Sequence, residues 1–168
     1  MIFHLPGLLN IVIDILVWLV IHVSVSLPID RISPESFNPE SWLYKERKWE
    51  GGGKTYQALF AIKAWKGLLP DGAALNKNGF RKKHLGNPDA SYIRRFIAET
   101  CRAELIHWVI FIFSPLFFIW NEWWIGMIMI AYGFLVNVPC IVTQRYNRIR
   151  LKRICNNIVH SQSLKYIK

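Results

Sequence analysis

The sequence predicts an all-α integral membrane protein, with about three transmembrane helices and amphipathic interfacial helices on the cytoplasmic side. Three observations lead there. The 168 residues are 52% hydrophobic, with 8 Trp and 10 Phe, yet they carry a formal charge of +10. The apolar residues gather into runs long enough to cross a bilayer. The 21 basic residues avoid those runs: 14 lie from Arg31 to Arg102 and 7 from Arg145 to Lys168. The positive-inside rule then puts both basic segments in the cytoplasm, and the N-terminus and the Asn121-Glu122 turn outside. Basic charge beside apolar spans favours anionic membrane lipid as a partner over nucleic acid. The expected organisation is one membrane domain over 1–168. It has spans at about 8–27, 104–120 and 123–142, an interfacial segment at 28–103 and a basic tail at 144–168.

Leu8 to Leu27 is a run of about 20 residues, interrupted by Asp14 and His22, and long enough to span. It has no basic n-region and no small-residue cleavage site, so it reads as a retained helix rather than a signal peptide. Asp14 is costly in hydrocarbon unless it lies shallow or faces other helices. Pro28 is expected to end this helix. The prolines between Pro28 and Pro39 make a linker. Ser41 to Glu50 mixes aromatic and charged side chains, as segments at headgroup level do. Gly51-Gly52-Gly53-Lys54 lacks the spacing of a phosphate loop and reads as a flexible turn. Thr55 to Leu69 has helical period and is too short and charged to span, so it should lie in the interface. Pro70-Asp71-Gly72 stops it.

The basic cluster Arg81-Lys82-Lys83-His84 suits anionic lipid or an anionic substrate. His84 to Asp89 matches H-x-x-x-x-D, a pattern of glycerolipid acyltransferases, but Gly86 and Pro88 make it a turn. Ala90 to Arg102 is a polar helix with Ser91 as candidate cap. It feeds into the short second span, which Pro115 should kink. Asn121-Glu122 turns the chain. The third span carries Asn137 and Pro139 and is bounded by Trp120, Trp123 and Trp124 as an aromatic belt. Cys101, Cys140 and Cys155 show no paired or metal-ligand spacing.

The stretch with the most chemistry is Arg102 to Trp108, where the polar helix becomes apolar. Glu104 and His107 are three residues apart and share a helix face. An acid and an imidazole at the cytoplasmic edge of a membrane suit proton transfer on a lipid, or simply anchor a helix end. The three-span topology brings Glu104 and His107 to the same membrane depth as Asn137, Arg145, Asn147 and Arg148. That convergence favours the functional reading.

These strings carry a resemblance. Trp65-Lys66 with Leu69-Pro70-Asp71-Gly72, Lys83-His84-Leu85, Arg102 to Trp108, Asn137-Val138-Pro139 and Gln144-Arg145-Tyr146-Asn147-Arg148 resemble the glycosyl-4,4′-diaponeurosporenoate acyltransferases. These are small membrane proteins of staphyloxanthin-type carotenoid synthesis. The resemblance covers roughly residues 42 to 151. It implies transfer of a fatty acyl group to a sugar hydroxyl of a glycosylated carotenoid or similar glycolipid. The co-substrate is expected to be a fatty acyl thioester, with no other cofactor.

Acyl transfer to an alcohol needs a base and an oxyanion donor. His107 is the expected base, with Glu104 orienting or stabilising it and His84 as runner-up. Arg145 and Arg148 are expected to hold an anionic part of the donor. Asn137 or Asn147 would serve the oxyanion, with Tyr146, Lys66 and Asp71 also at the substrate. Two other classes remain open. One is a metal-dependent enzyme using Glu104, His107 and either Glu99 or His84. The other is a non-catalytic lipid-binding membrane partner. Three spans make a thin wall around a long acyl chain, which leaves a homo-oligomer open.

Overall fold

The computed structural model describes residues 7–65 and 90–166. It is all-α, with four main helices: α1 (Gly7–Asp30), α2 (Lys54–Phe60), α3 (Ala90–Ile112) and α4 (Trp123–Tyr166). A 3-10 helix, Ser114–Ile119, follows α3. Among the described residues three helices are long and apolar enough to cross a membrane: α1, α3 with its 3-10 extension, and α4. The contacts divide the chain into two units, one of residues 1–33 and 102–141, the other of 34–101 and 142–168.

The first unit is built from the apolar runs. On α1, Asp14, Trp18, Ile21 and Val25 recur every three or four residues and are buried, the stripe that helical period puts on one face. Trp18, Ile21 and Val25 form a core with Ile110 of α3 and Phe117. The Trp18 indole stacks on Phe117, with ring centroids 4.8 Å apart. The opposite face of α1 leaves Leu8, Ile11, Ile15, Leu19 and Val23 exposed. Apolar outside with a carboxylate inside is the pattern of a helix whose solvent is lipid.

Asp14 belongs to a polar knot. Its Oδ1 accepts hydrogen bonds from Trp120 Nε1 and Asn121 Nδ2, both at 2.8 Å. Asn121 Oδ1 in turn accepts from Asn10 Nδ2 at 2.5 Å. The turn before α4 is thereby tied to α1. Asp14→Ala should strip two buried donors of their acceptor and destabilise the protein by about 1–3 kcal/mol. A lower unfolding midpoint in detergent than that of Asp14→Asn, which keeps an acceptor, would register it.

Three helix boundaries differ from expectation. Pro28 does not end α1, which continues to Asp30. A proline this close to a C-terminus removes only one helical bond. The last turn is met by Arg102, whose Nη1 donates to the Asp30 carbonyl at 3.1 Å and whose Nε lies 3.7 Å from the Asp30 carboxylate. A cation at a helix C-terminus satisfies orphan carbonyls and the helix dipole. In the second span Pro115 does more than kink: α3 stops at Ile112 and a 3-10 helix follows. Proline cannot donate to the carbonyl of Phe111, and Ser114 Oγ does so instead at 2.6 Å. The third helix does not stop near residue 142, because α4 runs unbroken for 44 residues through Pro139 to Tyr166.

The second unit holds the charged residues. Ile93, Phe96 and Ile97 of α3 pack on Leu151 and Cys155 of α4. Tyr56 and Ile62 pack on Tyr146 and Ile149. The helical stretch expected over Thr55 to Leu69 breaks at Ala61, whose φ is +46°. The glycine run before α2 has three successive positive φ values, 54°, 68° and 85°. Side chains with a Cβ rarely adopt that region, so the turn needs glycine.

Candidate functional site

In the first unit, His107 of α3 meets Asn137 of α4. The His107 Nδ1 to Asn137 Oδ1 distance is 3.0 Å. Asn137 is almost fully buried, and its Nδ2 donates to the Gly133 carbonyl at 2.9 Å. That bond fixes which way the amide points. Its oxygen therefore faces the imidazole, and an oxygen can only accept. Nδ1 of His107 must carry the proton, and in the neutral ring Nε2 holds the free lone pair. The contact needs the helices close together. A Cβ on Gly133 would lie 3.1 Å from Ser114 Cβ and 3.2 Å from the Trp18 ring.

Glu104 is buried one turn before His107, and its Oε1 accepts from Trp108 Nε1 at 3.3 Å. His22 of α1 belongs to the same unit. Its Nδ1 donates to the Trp18 carbonyl at 2.8 Å, so Nε2 again carries the lone pair. His22 is a residue the sequence reading treats only as an interruption of the first span. Among the described residues no three of His, Cys, Asp and Glu gather as metal ligands. His84, Lys66 and Asp71 lie outside the described residues.

The second unit contains a charged cluster built on Glu50, which is fully buried. Arg145 Nε donates to Glu50 Oε1 at 2.9 Å and Nη2 to Oε2 at 3.1 Å. This fork is the strong geometry for an arginine–carboxylate pair. Tyr56 donates its hydroxyl to Oε1, and the Arg47 backbone N–H donates to Oε2, both in short hydrogen bonds. The remaining arginine nitrogens reach backbone: Nη1 donates to the Leu43 carbonyl at 2.8 Å and Nη2 to Lys45 at 3.2 Å. Arg148, also buried, donates from Nε to the Tyr44 carbonyl at 3.2 Å. Its guanidinium lies over the Tyr44 ring, 5.4 Å from the centroid. Tyr146 is buried in the apolar core of this unit, and Asn147 is half-buried. Arg145 and Arg148 thus bind the 43–56 segment to α4. No sequence pattern marks Glu50 and Tyr56 as partners of Arg145, because the ion pair closes over 95 residues.

Burial raises the Glu50 pKa, but the bonds from Arg145, Tyr56 and the Arg47 backbone outweigh it and hold the carboxyl below its ordinary value. Burial and the adjacent Glu50 push the Tyr56 hydroxyl up. For a carboxyl lowered on folding, the unfolded chain binds more protons between the two pKa values. The stabilisation is therefore present above the ordinary carboxylate value and is lost as pH falls through the lowered one. Glu50→Gln should flatten the acid limb of the unfolding-midpoint curve against pH, and detergent-phase thermal melts from neutral to acid pH would show it.

A family model described as glycosyl-4,4′-diaponeurosporenoate acyltransferase matches residues 39–157. The chain belongs to this family. It is 34% identical over 137 residues to the glycosyl-4,4′-diaponeurosporenoate acyltransferases of Staphylococcus aureus strains bovine RF122 / ET3-1, N315 and USA300, covering 82% of this chain and 82% of each relative. No solved structure matches it. As a member of the glycosyl-4,4′-diaponeurosporenoate acyltransferase family it is an acyltransferase. The matched segment includes Glu50, Glu104, His107, Asn137 and Arg145 and leaves out α1.

Proposed function

We propose that this protein moves a fatty acyl group from a thioester donor onto a sugar hydroxyl of a glycosylated carotenoid or a closely similar glycolipid, within the membrane. The observation that carries this reading is His107, held in one tautomer by Asn137 among helices that are apolar outside. In the reading, His107 Nε2 takes the proton from the sugar hydroxyl as its oxygen attacks the thioester carbonyl. The new C–O bond forms and the C–S bond breaks. The imidazolium then returns the proton to the departing thiolate. Asn137 keeps Nδ1 as the donor throughout, the positioning role that a carboxylate or amide plays beside a catalytic imidazole. Glu104 lies one turn away on the same helix, with its Oε1 engaged by Trp108. Arg145 and Arg148 act by shaping the second unit rather than by gripping the donor.

The charge distribution supports a topology with the N-terminus outside and both basic segments in the cytoplasm. Reporter fusions at each end read that orientation.

The test of the reaction uses isolated membranes containing the protein, a glycosylated carotenoid and a fatty acyl thioester labelled in the acyl chain. Label should enter the carotenoid as an ester that mild alkali releases. Label that stays in the donor, with the protein inserted, would overturn the reading.

A further inference from the structure

In the second unit, a pocket of about 200 Å³ opens between the glycine run, α2 with its following turn, and α4. Four cations border it: Lys54, Lys63, Arg150 and Arg153. None of the four pairs with a carboxylate among the described residues, and no carboxylate lines the pocket there. Two other cations of the unit are neutralised, Arg145 by Glu50 and Lys152 by Glu40. The Glu46 carboxylate is turned to the loop, accepting the Gly52 N–H at 2.8 Å. Four like charges around one small volume repel one another, and an anion between them relieves that repulsion.

The pocket is built rather than left over. The Arg153 guanidinium lies against the bare Cα of Gly52. A Cβ there would sit 1.4 Å from Nη2 and 2.5 Å from Cζ. The left-handed glycine run therefore serves two ends, the turn itself and room for a guanidinium. The Arg150 guanidinium is carried over the Tyr146 ring at 5.6 Å. Tyr146 in turn packs on Gly53, whose Cβ would meet the ring at 3.3 Å. Gln57 Oε1 accepts the Lys63 backbone N–H at 3.1 Å and so ties the turn carrying Lys63 to α2. Two guanidinium forks and two ammonium groups match an anion with several oxygens, which is the geometry of a phosphate ester.

We infer that the Lys54–Lys63–Arg150–Arg153 pocket is a binding site for a phosphate ester. A soluble diphosphate and the headgroup of an anionic phospholipid share that chemistry. The test uses the full chain in uncharged detergent or in phosphatidylcholine vesicles. The probes are inorganic pyrophosphate and vesicles with added phosphatidylglycerol. The double variant Arg150→Gln/Arg153→Gln is compared with the charge-matched control Lys45→Gln/Lys48→Gln. The pocket variant should weaken binding at least about tenfold, as loss of two charge-assisted contacts implies, and the control should not. Loss confined to pyrophosphate identifies a soluble phosphate ligand, and loss confined to phosphatidylglycerol identifies lipid. Arg150→Lys/Arg153→Lys keeps the charge and should restore part of the binding, which separates a site from a folding defect. Absence of binding by the wild-type chain to either probe, or equal weakening in pocket variant and control, would overturn the site.

Discussion

Replacing His107 with Ala should lower acyl transfer by a factor on the order of 10²–10⁴, the usual contribution of a positioned general base. The protein should still insert, because His107 is half-buried and outside the apolar core around Trp18 and Phe117. Asn137→Ala should also lower turnover, by less. It removes the acceptor that holds Nδ1–H and leaves the Gly133 carbonyl without its amide donor. The imidazole stays but both tautomers become accessible, so a fraction of molecules keeps a working base. Turnover per unit of inserted protein separates the two variants. Equal and near-normal turnover in both would remove His107 from the reaction.

The largest expected loss of stability comes from the other unit. Glu50→Ala leaves the Arg145 guanidinium facing two backbone carbonyls and a tyrosine with its counter-ion gone. Arg145 is mostly buried and Glu50 completely so, with side-chain exposures of 13% and 0%. Removing one partner of such a pair destabilises by about 3–5 kcal/mol. That is a large share of the roughly 5–15 kcal/mol that holds a typical domain folded. Arg145→Met should do comparable damage by stranding the Glu50 carboxylate. The double replacement Glu50→Met/Arg145→Met should recover part of the loss, since neither charge is then buried alone. Unfolding midpoints in detergent, together with protein abundance in the membrane, measure all three. A neutral Glu50→Ala would mean that Tyr56 and the backbone groups find water as readily as they find the carboxylate.

The spans are legible in the sequence because lipid demands long apolar runs, and because lysine and arginine stay out of them. Glu104 and His107 are legible because helical spacing alone puts them on one face. Local rules could not choose the partner of His107. Glu104 is nearer in sequence, but the imidazole hydrogen-bonds Asn137 on another helix, and the amide is aimed by Gly133. The partners of Arg145 and Arg148 are not legible in the sequence because they are far away in the chain. Glu50 and the Tyr44 carbonyl are about 100 residues earlier, beyond the reach of any periodicity argument. The glycine run reads as a turn, and it is one. Its second role, giving Arg153 a place against Gly52, depends on α4 continuing as a helix through the basic tail. Charge composition alone does not reveal that continuation, since helices of this kind are held by packing, here of Leu151 and Cys155 on α3.

Esterification of a sugar hydroxyl with His107 as base is the proposed reaction. Its most direct test is mass spectrometry of the lipids of a host that makes a glycosylated carotenoid and expresses the wild-type chain, His107→Ala or neither. The wild-type chain should give a species heavier than the glycosylated carotenoid by one fatty acyl group, and His107→Ala, present in the membrane at equal amount, should leave the glycoside unmodified. An unmodified glycoside with the wild-type chain inserted, or an equal ester yield from both, would contradict it.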